Sequence, residues 1–247
     1  MSLARSTLDG KVAIVTGAGG GIGSAIARAL SAQGVLVVGA DVAPAVGDLM
    51  AVLGGHGLCG DLTDGAFTEM LVAEALDRGG RLDVLVNGAG VQLRTDAIDI
   101  DDEGWQRLVD VNLTAVYRLT RQAAKALMTT RGCVVNIASS SADRAVAGIV
   151  PYGATKAALT QLGKGLAVEL GPFGVRVNAV APGYVETPMT AALLDQEDVR
   201  AQKLARIPLQ RFADGDDVAD VVTFLCSDAA RYVTGVVLPV DGGYSIT

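Results

Sequence analysis

The chain has 247 residues, half of them hydrophobic, and a formal net charge of −7 at pH 7. A chain of this size can bury roughly 70 to 75 per cent of its unfolded surface, which excludes extensive disorder. Its charges are mixed along the sequence without a run of Lys or Arg, so we do not expect a nucleic acid partner, which requires clustered cations.

Cysteine and histidine content argues against disulfides and metal. Cys59, Cys133 and Cys226 are far apart and odd in number, which favours free thiols in a cytoplasmic protein. The only histidine, His56, lies in GGHG without a Cys or second His at ligand spacing, so we predict a loop residue and no metal site. We see no signal peptide and no run of about 18 apolar residues, and therefore expect a cytoplasmic protein that does not bind membranes.

Short apolar runs alternate with amphipathic patterns along the whole chain. Runs that are apolar over four or five positions are typical of strands buried on both faces. They lie at residues 11–16, 35–40, 82–87, 132–138, 175–180 and 236–240, with a weaker candidate, HGLCG, at 56–60. Helical patterns lie at 21–34, 67–78, 105–128, 154–170 and 216–227.

This alternation, with short connections, indicates right-handed crossovers between parallel strands. We therefore predict an α/β, Rossmann-like, doubly wound fold with a mostly parallel seven-stranded sheet and helices on both faces. No segment resembles an interdomain linker, so we expect a single domain over residues 1–247. In such a sheet ligands bind beyond the carboxyl ends of the strands, where the strand order reverses.

A glycine-rich turn, TGAGGGIG (residues 16–23), joins the first predicted strand to a helix. Glycines let the backbone approach a pyrophosphate closely, and a helix N-terminus attracts its charge, although the same turn also occurs where a strand simply packs close to a helix. No Lys followed by Ser or Thr closes the run, so a P-loop is not predicted. Asp41 ends the second strand; its carboxylate would accept hydrogen bonds from ribose hydroxyls and repel a 2′-phosphate, which predicts NAD rather than NADP.

Tyr152 and Lys156 lie four residues apart, at the start of the helix that follows the predicted strand at 132–138. On one helical face their Cβ atoms would be about 5 to 6 Å apart, so the lysine cation would favour the tyrosine phenolate. Lowering a tyrosine pKa by three units from about 10 takes about 4 kcal/mol. A Tyr and a Lys at this spacing usually share no function, because the Tyr is simply a core residue and the Lys is solvated. The place of this pair at the ligand-binding edge, after Ser139, favours a general base.

Several motifs in chain order resemble those of the short-chain dehydrogenase/reductase family. They are TGAGGGIG, Asp61 in GDLT, NGAG (87–90), Asn112 in DVNL, Ser139, the Tyr152–Lys156 pair and VNAVAPGYVETPM (177–189). The similarity extends from Lys11 to Tyr244. NGAG departs from the frequent family form NNAG, and the span between Asp41 and Asp61 is short, which predicts a reduced helix there.

The resemblance implies a set of site residues. The catalytic residues would be Asn112, Ser139, Tyr152 and Lys156. Ser139 is selected because the family serine lies 13 residues before the tyrosine. Substrate would contact Ser139, Ser141 and Tyr152. The expected cofactor-binding residues are Gly17, Gly21, Ile22, Gly23, Asp41, Asp61, Leu62, Asn87, Gly90, Tyr152, Lys156, Pro182, Gly183, Val185 and Thr187.

The implied reaction is hydride transfer between NAD and a secondary alcohol or ketone. Tyr152 would be general base or acid, Ser139 would orient the substrate oxygen, Lys156 would lower the tyrosine pKa and hold the nicotinamide ribose, and Asn112 would hold a water in a proton relay to Lys156. Residues 188–214 would form a lid over the substrate. Arg144 is expected at the surface, with pairing to an anionic substrate as the alternative. The resemblance also implies a homotetramer or homodimer.

Three other functions remain open. A 3-oxoacyl-acyl-carrier-protein reductase would use the same residues, although Asp41 disfavours NADPH and so favours oxidation of an alcohol. A methyltransferase also has a glycine turn and an acidic residue after the second strand, but has no use for Tyr152 and Lys156. A catalytically silent dinucleotide-binding sensor would usually lack one of the three catalytic side chains.

Overall fold

One parallel sheet of seven strands lies at the centre of residues 8–247, the part of the chain that the computed structural model describes. The strands are β1 (Val12–Thr16), β2 (Leu36–Asp41), β3 (His56–Cys59), β4 (Val84–Asn87), β5 (Cys133–Ile137), β6 (Arg176–Pro182) and β7 (Val237–Val240). Their order is β3-β2-β1-β4-β5-β6-β7, and every neighbouring pair is parallel. All seven predicted strands are confirmed, while residues 1–7 of the predicted domain lie outside the described residues.

Helices cover both faces of this sheet. Within residues 8–247 they are α1 (Gly21–Ser31), α2 (Val46–Val52), α3 (Gly65–Gly79), α4 (Asp102–Val109), α5 (Ala115–Thr130), α6 (Val150–Leu170), α7 (Pro188–Leu194), α8 (Glu197–Leu204) and α9 (Gly215–Cys226). One face packs against α1, α2 and α9, and the other against α3, α5 and α6. Successive β1 side chains alternate between these cores, as strand geometry requires. The predicted Rossmann-like, doubly wound fold is confirmed.

Local sequence signals set several helix boundaries. The side chain of Asp64 accepts a hydrogen bond from the Ala66 N–H at the start of α3, and Asp101 caps α4 in the same way through the Gly104 N–H. Asp214 and Asp217 form a reciprocal capping box at the start of α9. No helix in the described part of the chain is both long and apolar enough to cross a membrane.

The strand order reverses beside β1. From β1 the chain moves outward to β2 and β3, and then returns to β4 on the other side of β1. Thr16 and Asn87, the last residues of β1 and β4, are register partners, so the loops that follow these two strands leave the sheet side by side. The crevice between such loops is where doubly wound sheets bind ligands.

Three local features differ from a simple reading of the sequence. The pattern at 105–128 is interrupted by a π-helical turn at Asp110–Thr114, a wider turn that is often found at functional sites. His56 is not a loop residue: it begins β3, with its Nε2 3.2 Å from Glu74 Oε1. The helix between Asp41 and Asp61 is present as α2 but has only seven residues, as the short span predicts.

Candidate active site

The glycine-rich turn allows very close backbone approach between β1, α1 and the loop after β4. Gly17 has φ +70°, and a Cβ there would lie 2.8 Å from the Ala89 nitrogen. A Cβ on Gly23 would lie 2.0 Å from the Gly17 carbonyl oxygen. Any larger residue at either position would therefore force the turn open. The result is a smooth backbone surface that leads into the N-terminus of α1, the arrangement that suits a pyrophosphate.

Asp41 is held against this turn by two backbone hydrogen bonds. Its Oδ2 accepts from the Gly19 N–H at 2.9 Å, and its Oδ1 accepts from the Ala43 N–H at 2.9 Å. The carboxylate is therefore fixed in position where β2 ends, beside the glycine turn.

A cleft of about 430 Å³ runs along these elements. The predicted cofactor-binding residues that line it are Gly17, Gly21, Ile22, Gly23, Asp41, Asp61, Leu62, Gly90 and Thr187. The glycine cradle, a carboxylate at the ribose position and an apolar wall fit a dinucleotide. Arg107 also lines the cleft, and the sequence analysis missed it because an exposed helix arginine has no distinguishing pattern.

Asn87, which is expected to lie along the cofactor, has its side chain turned into the protein. It is buried, and its Nδ2 donates to Thr120 Oγ1 at 3.2 Å and to Asn136 Oδ1 at 2.8 Å. Asn87 thus ties β4 to α5 and β5 beneath the cleft. The neighbouring backbone at Gly88 and Gly90 lines the cleft instead, because the chain turns outward directly after β4.

A second cavity of about 140 Å³ adjoins the cleft and shares part of its wall, including Gly90 and Thr187. The predicted residues that line it are Ile22, Gly90, Ser139, Ser141, Tyr152, Lys156, Pro182, Gly183, Val185 and Thr187. They lie at the start of α1, in the first turns of α6, or at and after the ends of β4, β5 and β6, so the parallel sheet brings them together at one edge. The structure thus places the predicted serine, tyrosine and lysine around one small space.

Tyr152 is buried in this cavity against Leu108 and Ile149. Burial raises its pKa to about 12, and the hydrogen bond with the Ser139 hydroxyl opposes part of that rise. The sequence analysis expected the neighbouring lysine to lower this pKa, and the direction in the structure is the opposite. Desolvation of the phenolate dominates because the ring is enclosed by apolar side chains.

Lys156 is also buried, and burial lowers its pKa to about 8. Its Nζ donates to the main-chain carbonyl of Ile137 at 2.8 Å and lies 5.7 Å from the centre of the Tyr152 ring. A Cβ on Gly90 would lie 3.3 Å from this Nζ, so glycine is what leaves the space beside the ammonium group open. The lysine is therefore directed to the end of β5 and borders the Tyr152 ring.

The three serines have different environments. Ser139 is half-buried, and its Oγ accepts hydrogen bonds from the Ser141 backbone N–H at 3.2 Å and from the Ser141 hydroxyl at 2.9 Å. Ser141 is buried, so its contact with substrate would be limited by its bond to Ser139. Ser140 also lines the cavity, and its hydroxyl makes no hydrogen bond with residues 8–247. Ser141 thus orients Ser139.

Asn112 lies at the centre of the π-helical turn and is fully buried. Its Oδ1 accepts from the Val91 N–H and its Nδ2 donates to the Val91 carbonyl, both at 2.9 Å. Its Nδ2 also donates to Thr155 Oγ1 at 3.2 Å. The side chain therefore joins the loop after β4 to α6, one residue before Lys156, and its amide group is already occupied by protein partners.

Arg144 departs from both sequence-based expectations. It is half-buried, its Nη1 donates to the Tyr244 carbonyl, and its guanidinium lies 4.7 Å from the centre of the Tyr244 ring. It therefore holds the C-terminal segment against the loop after β5. Tyr244 also lines the second cavity, of about 140 Å³, which from here on is called the substrate-sized cavity. No local pattern in the sequence predicts this position for Tyr244.

The segment predicted as a lid, residues 188–214, contains α7 and α8. Met189, Thr190 and Leu193 of α7 line the cavity. Phe212 packs edge-on against Tyr184, which in turn packs edge-on against Tyr244, with ring centres 6.3 Å and 5.1 Å apart. The segment thus covers one side of the cavity through an aromatic cluster.

Comparison with known proteins agrees with this geometry. A family model described as enoyl-(acyl carrier protein) reductase matches residues 17–245. The chain is 39% identical over 240 residues to the 3-oxoacyl-[acyl-carrier-protein] reductase FabG of Escherichia coli (strain K12), covering 95% of this chain and 97% of the relative. It is also 39% identical over 242 residues to cis-4-hydroxycyclohexanecarboxylate dehydrogenase of Sinomonas cyclohexanicum, covering 95% and 96%.

Solved structures are similar over nearly the whole chain. A protein described as an NAD(P) dependent gluconate 5-dehydrogenase from Beutenbergia cavernae, with NADP bound at low occupancy, gives a TM-score of 0.93 at 38% identity and covers 99% of this chain and 100% of its own. The 3-ketoacyl-(acyl-carrier-protein) reductase from Brucella melitensis, complexed with NADH, gives 0.90 at 33% identity and covers 96% and 99%. Since the family model and these relatives span almost all of it, the chain belongs to the short-chain dehydrogenase/reductase family of oxidoreductases.

Proposed function

We propose that the protein is an NAD-dependent oxidoreductase that interconverts a secondary alcohol and the corresponding ketone. The observation that carries this proposal is the grouping of Ser139, Tyr152 and Lys156 around one small cavity that opens into the dinucleotide cleft. Such a grouping is needed to exchange a hydroxyl proton while a hydride is transferred nearby. Relatives named for oxidation of a hydroxy acid, including the Sinomonas dehydrogenase, support it.

The bound nicotinamide would accept or supply the hydride. In the oxidation direction, Tyr152 would take the proton from the substrate hydroxyl, and in reduction it would return that proton to the carbonyl oxygen. The Ser139 hydroxyl, oriented by Ser141, would bind the same oxygen. Lys156, together with a water held near Asn112, would exchange protons with the tyrosine and solvent, and its ammonium would hold the nicotinamide ribose.

The protonation state of Tyr152 affects whether the reaction runs as oxidation or as reduction. With a pKa of about 12, Tyr152 is almost entirely the neutral phenol at pH 7, which is the form that acts as an acid in reduction. Oxidation requires the phenolate, whose fraction rises with pH. Oxidation would therefore be favoured at alkaline pH. A cation close to the phenol would stabilise the phenolate and so extend the pH range of oxidation towards neutrality.

NAD is proposed as the preferred cofactor on the basis of charge. Asp41 and Asp61 both line the cleft, and the Asp41 carboxylate is fixed beside the glycine turn. A 2′-phosphate would meet this negative charge, which repels it. Arg107 is the only cation among the residues of the described chain that line the cleft. Solved relatives include proteins with NADP and with NADH, so the preference has to be measured.

A second candidate is reduction of a 3-oxoacyl thioester carried by acyl carrier protein. It is favoured by the 39% identity to the E. coli 3-oxoacyl-[acyl-carrier-protein] reductase. Rates with acetoacetyl thioester and with simple cyclic ketones, each with NADH and NADPH, would separate the two candidates. A silent sensor would turn over none of these substrates.

The assembly and domain expectations stay predictions. Exposed apolar side chains on the α4, α5 and α6 surfaces, Trp105, Tyr117 and Val150, are consistent with burial between subunits of a homotetramer or homodimer. The single domain over 1–247, the mobility of the lid and the cytoplasmic location likewise stay predictions. Light scattering on the purified protein measures the subunit number.

Replacing Tyr152 by Phe should abolish turnover and leave NADH binding nearly unchanged, because only the hydroxyl that exchanges the proton is lost. General acid–base catalysis contributes about 10² to 10⁴-fold. The measurement is the rate of NADH formation with a panel of secondary alcohols, alongside NADH titration. A variant that retains more than about a tenth of the wild-type rate would contradict the role.

The rate of alcohol oxidation by the wild type should also rise with pH, because the phenolate fraction of Tyr152 rises.

Replacing Asp41 by Ser should relax discrimination against NADPH, since the charge that repels the 2′-phosphate is removed. We expect the ratio of kcat/KM for NADH to that for NADPH to fall by about tenfold or more. Asp48→Ser, at an exposed position on α2, is the matched control and should keep the wild-type ratio. A wild-type enzyme that already prefers NADPH would overturn our interpretation of Asp41.

Replacing Ser141 by Ala should lower kcat by about fivefold with a smaller effect on KM, because the Ser139 oxygen loses a hydrogen bond worth about 1 kcal/mol that orients it. Ser140→Ala provides the comparison and should have the smaller effect. If the two variants lose activity equally, Ser141 has no specific part in orienting Ser139.

Replacing Lys156 by Met should abolish activity yet stabilise the fold at pH 7. Because burial lowers the lysine pKa from 10.5 to about 8, the folded state holds the charge at a cost of up to roughly 3 kcal/mol below pH 8. The unfolded state binds more protons between pH 8 and 10.5, so wild-type stability rises with pH there. The gain in free energy of unfolding of Lys156→Met over the wild type should therefore shrink as the pH rises from 8 to 10.5.

Urea unfolding at pH 7 and pH 9.5 measures this difference, with Lys164→Met on the exposed side of α6 as the control. A Lys156→Met gain in free energy of unfolding that is the same at both pH values would show that the lysine charge is not the cause.

A further inference from the structure

The charge of the substrate-sized cavity differs from that of the protein. The chain as a whole has a net charge of −7. Among the described residues that line the cavity, the ionisable side chains are two cations, Arg94 and Lys156, and three tyrosines, Tyr152, Tyr184 and Tyr244; no Asp or Glu is among them. A positively charged cavity attracts anions to its site even when the protein as a whole is acidic.

Arg94 lies on the loop after β4, and the backbone on either side of it is fixed. The Thr95 N–H donates to the Gly148 carbonyl at 3.0 Å, and Leu93 packs against the cluster of Leu108, Ile149 and Tyr152. The loop that carries Arg94 is thus attached to the elements that hold the catalytic tyrosine. Arg94 itself is exposed, and its side chain borders the cavity.

The Arg94 guanidinium makes no hydrogen bond or ion pair with any residue in 8–247. Two arginines that contact the ring of the cavity residue Tyr244 do have such partners: Arg144 donates to the Tyr244 carbonyl, and Arg206 donates to the Thr247 carbonyl at 2.9 Å. Lys156 is bound to the Ile137 carbonyl. Arg94 is therefore the cation of the described cavity wall whose donors are available to a ligand.

The size of the cavity limits the ligand. Its volume of about 140 Å³ is an upper limit for the substrate, because the expected cofactor contacts Pro182, Gly183 and Val185 also line it. The aliphatic and aromatic lining, which includes Val146, Ile149, Leu193 and Tyr184, suits a compact carbon skeleton. A small carbon skeleton with one anionic group matches both this limit and the charge.

We propose that Arg94 binds the carboxylate of a small hydroxy acid or oxo acid whose secondary alcohol or ketone reacts at Tyr152. This assignment rests on the proposed function of the site and names its substrate class. A guanidinium pairs with a carboxylate through two parallel hydrogen bonds, which fixes both distance and orientation. Arg94 would thus anchor one end of the substrate while Ser139 and Tyr152 bind the reacting oxygen at the other.

The test compares cyclohexanecarboxylate with cyclohexanecarboxamide, which has the same shape and no charge. Calorimetric titration into the protein saturated with NADH gives the two Kd values without requiring turnover. We expect the wild type to bind the carboxylate about tenfold or more tightly than the amide, and Arg94→Gln to remove that preference. Arg121→Gln, an exposed position on α5, makes the same charge change and should keep the wild-type preference.

The assignment is overturned if the wild type binds both compounds equally, or if Arg94→Gln retains the preference. A second assay tests whether the guanidinium binds a phosphate instead, by comparing turnover of acetoacetyl phosphopantetheine with that of acetoacetyl pantetheine, which lacks the phosphate. The assignment is also overturned if Arg94→Gln leaves carboxylate binding intact but lowers turnover of the phosphorylated thioester more than that of the other. Turnover by the wild type of cyclic ketones with and without a carboxylate tests the proposed function separately. Absence of turnover with all of them, together with an Arg94-dependent carboxylate preference, would overturn the proposed function alone.

Discussion

The hydrogen bond from the buried Lys156 ammonium to the Ile137 carbonyl is the interaction on which the site depends. It joins α6 to the end of β5 and so positions Tyr152, which lies one helical turn earlier on the same face. Holding a lysine charge in a buried position costs folding free energy, as its lowered pKa shows. The surrounding sheet, buried on both faces, stabilises the fold enough to tolerate that cost.

The site also requires the backbone to approach neighbouring segments closely at three glycines. Gly17, Gly23 and Gly90 leave room, respectively, for the loop after β4, for the turn before α1 and for the Lys156 ammonium. Side chains at these positions would close the space between the glycine turn and Lys156. The two adjoining cavities therefore depend on glycine where β1 and β4 end beside one another.

Much of the fold was predictable from the sequence because strands buried on both faces are uninterrupted apolar runs. Even β3, whose residues are only partly buried, was predicted, from the weaker run HGLCG. Tyr152 and Lys156 were candidates from their spacing and Ser139 from the family resemblance, and the structure groups all three around one cavity. The π-helical turn at Asn112 was not predicted, since its residues continue a helical pattern and the wider turn follows from side-chain bonds to Val91 and Thr155.

The sequence by itself determined the parallel sheet, the glycine turn, the acidic end of β2 and the serine, tyrosine and lysine of the site, because each is a local pattern. Only the tertiary structure decided that Asn87 is enclosed beneath the cleft, that Arg144 holds Tyr244, and that Arg94 lies with available donors in the cavity wall. It also decided the direction of the Tyr152 pKa shift. Burial and the choice of hydrogen-bond partner depend on segments distant along the chain, and no local pattern records them.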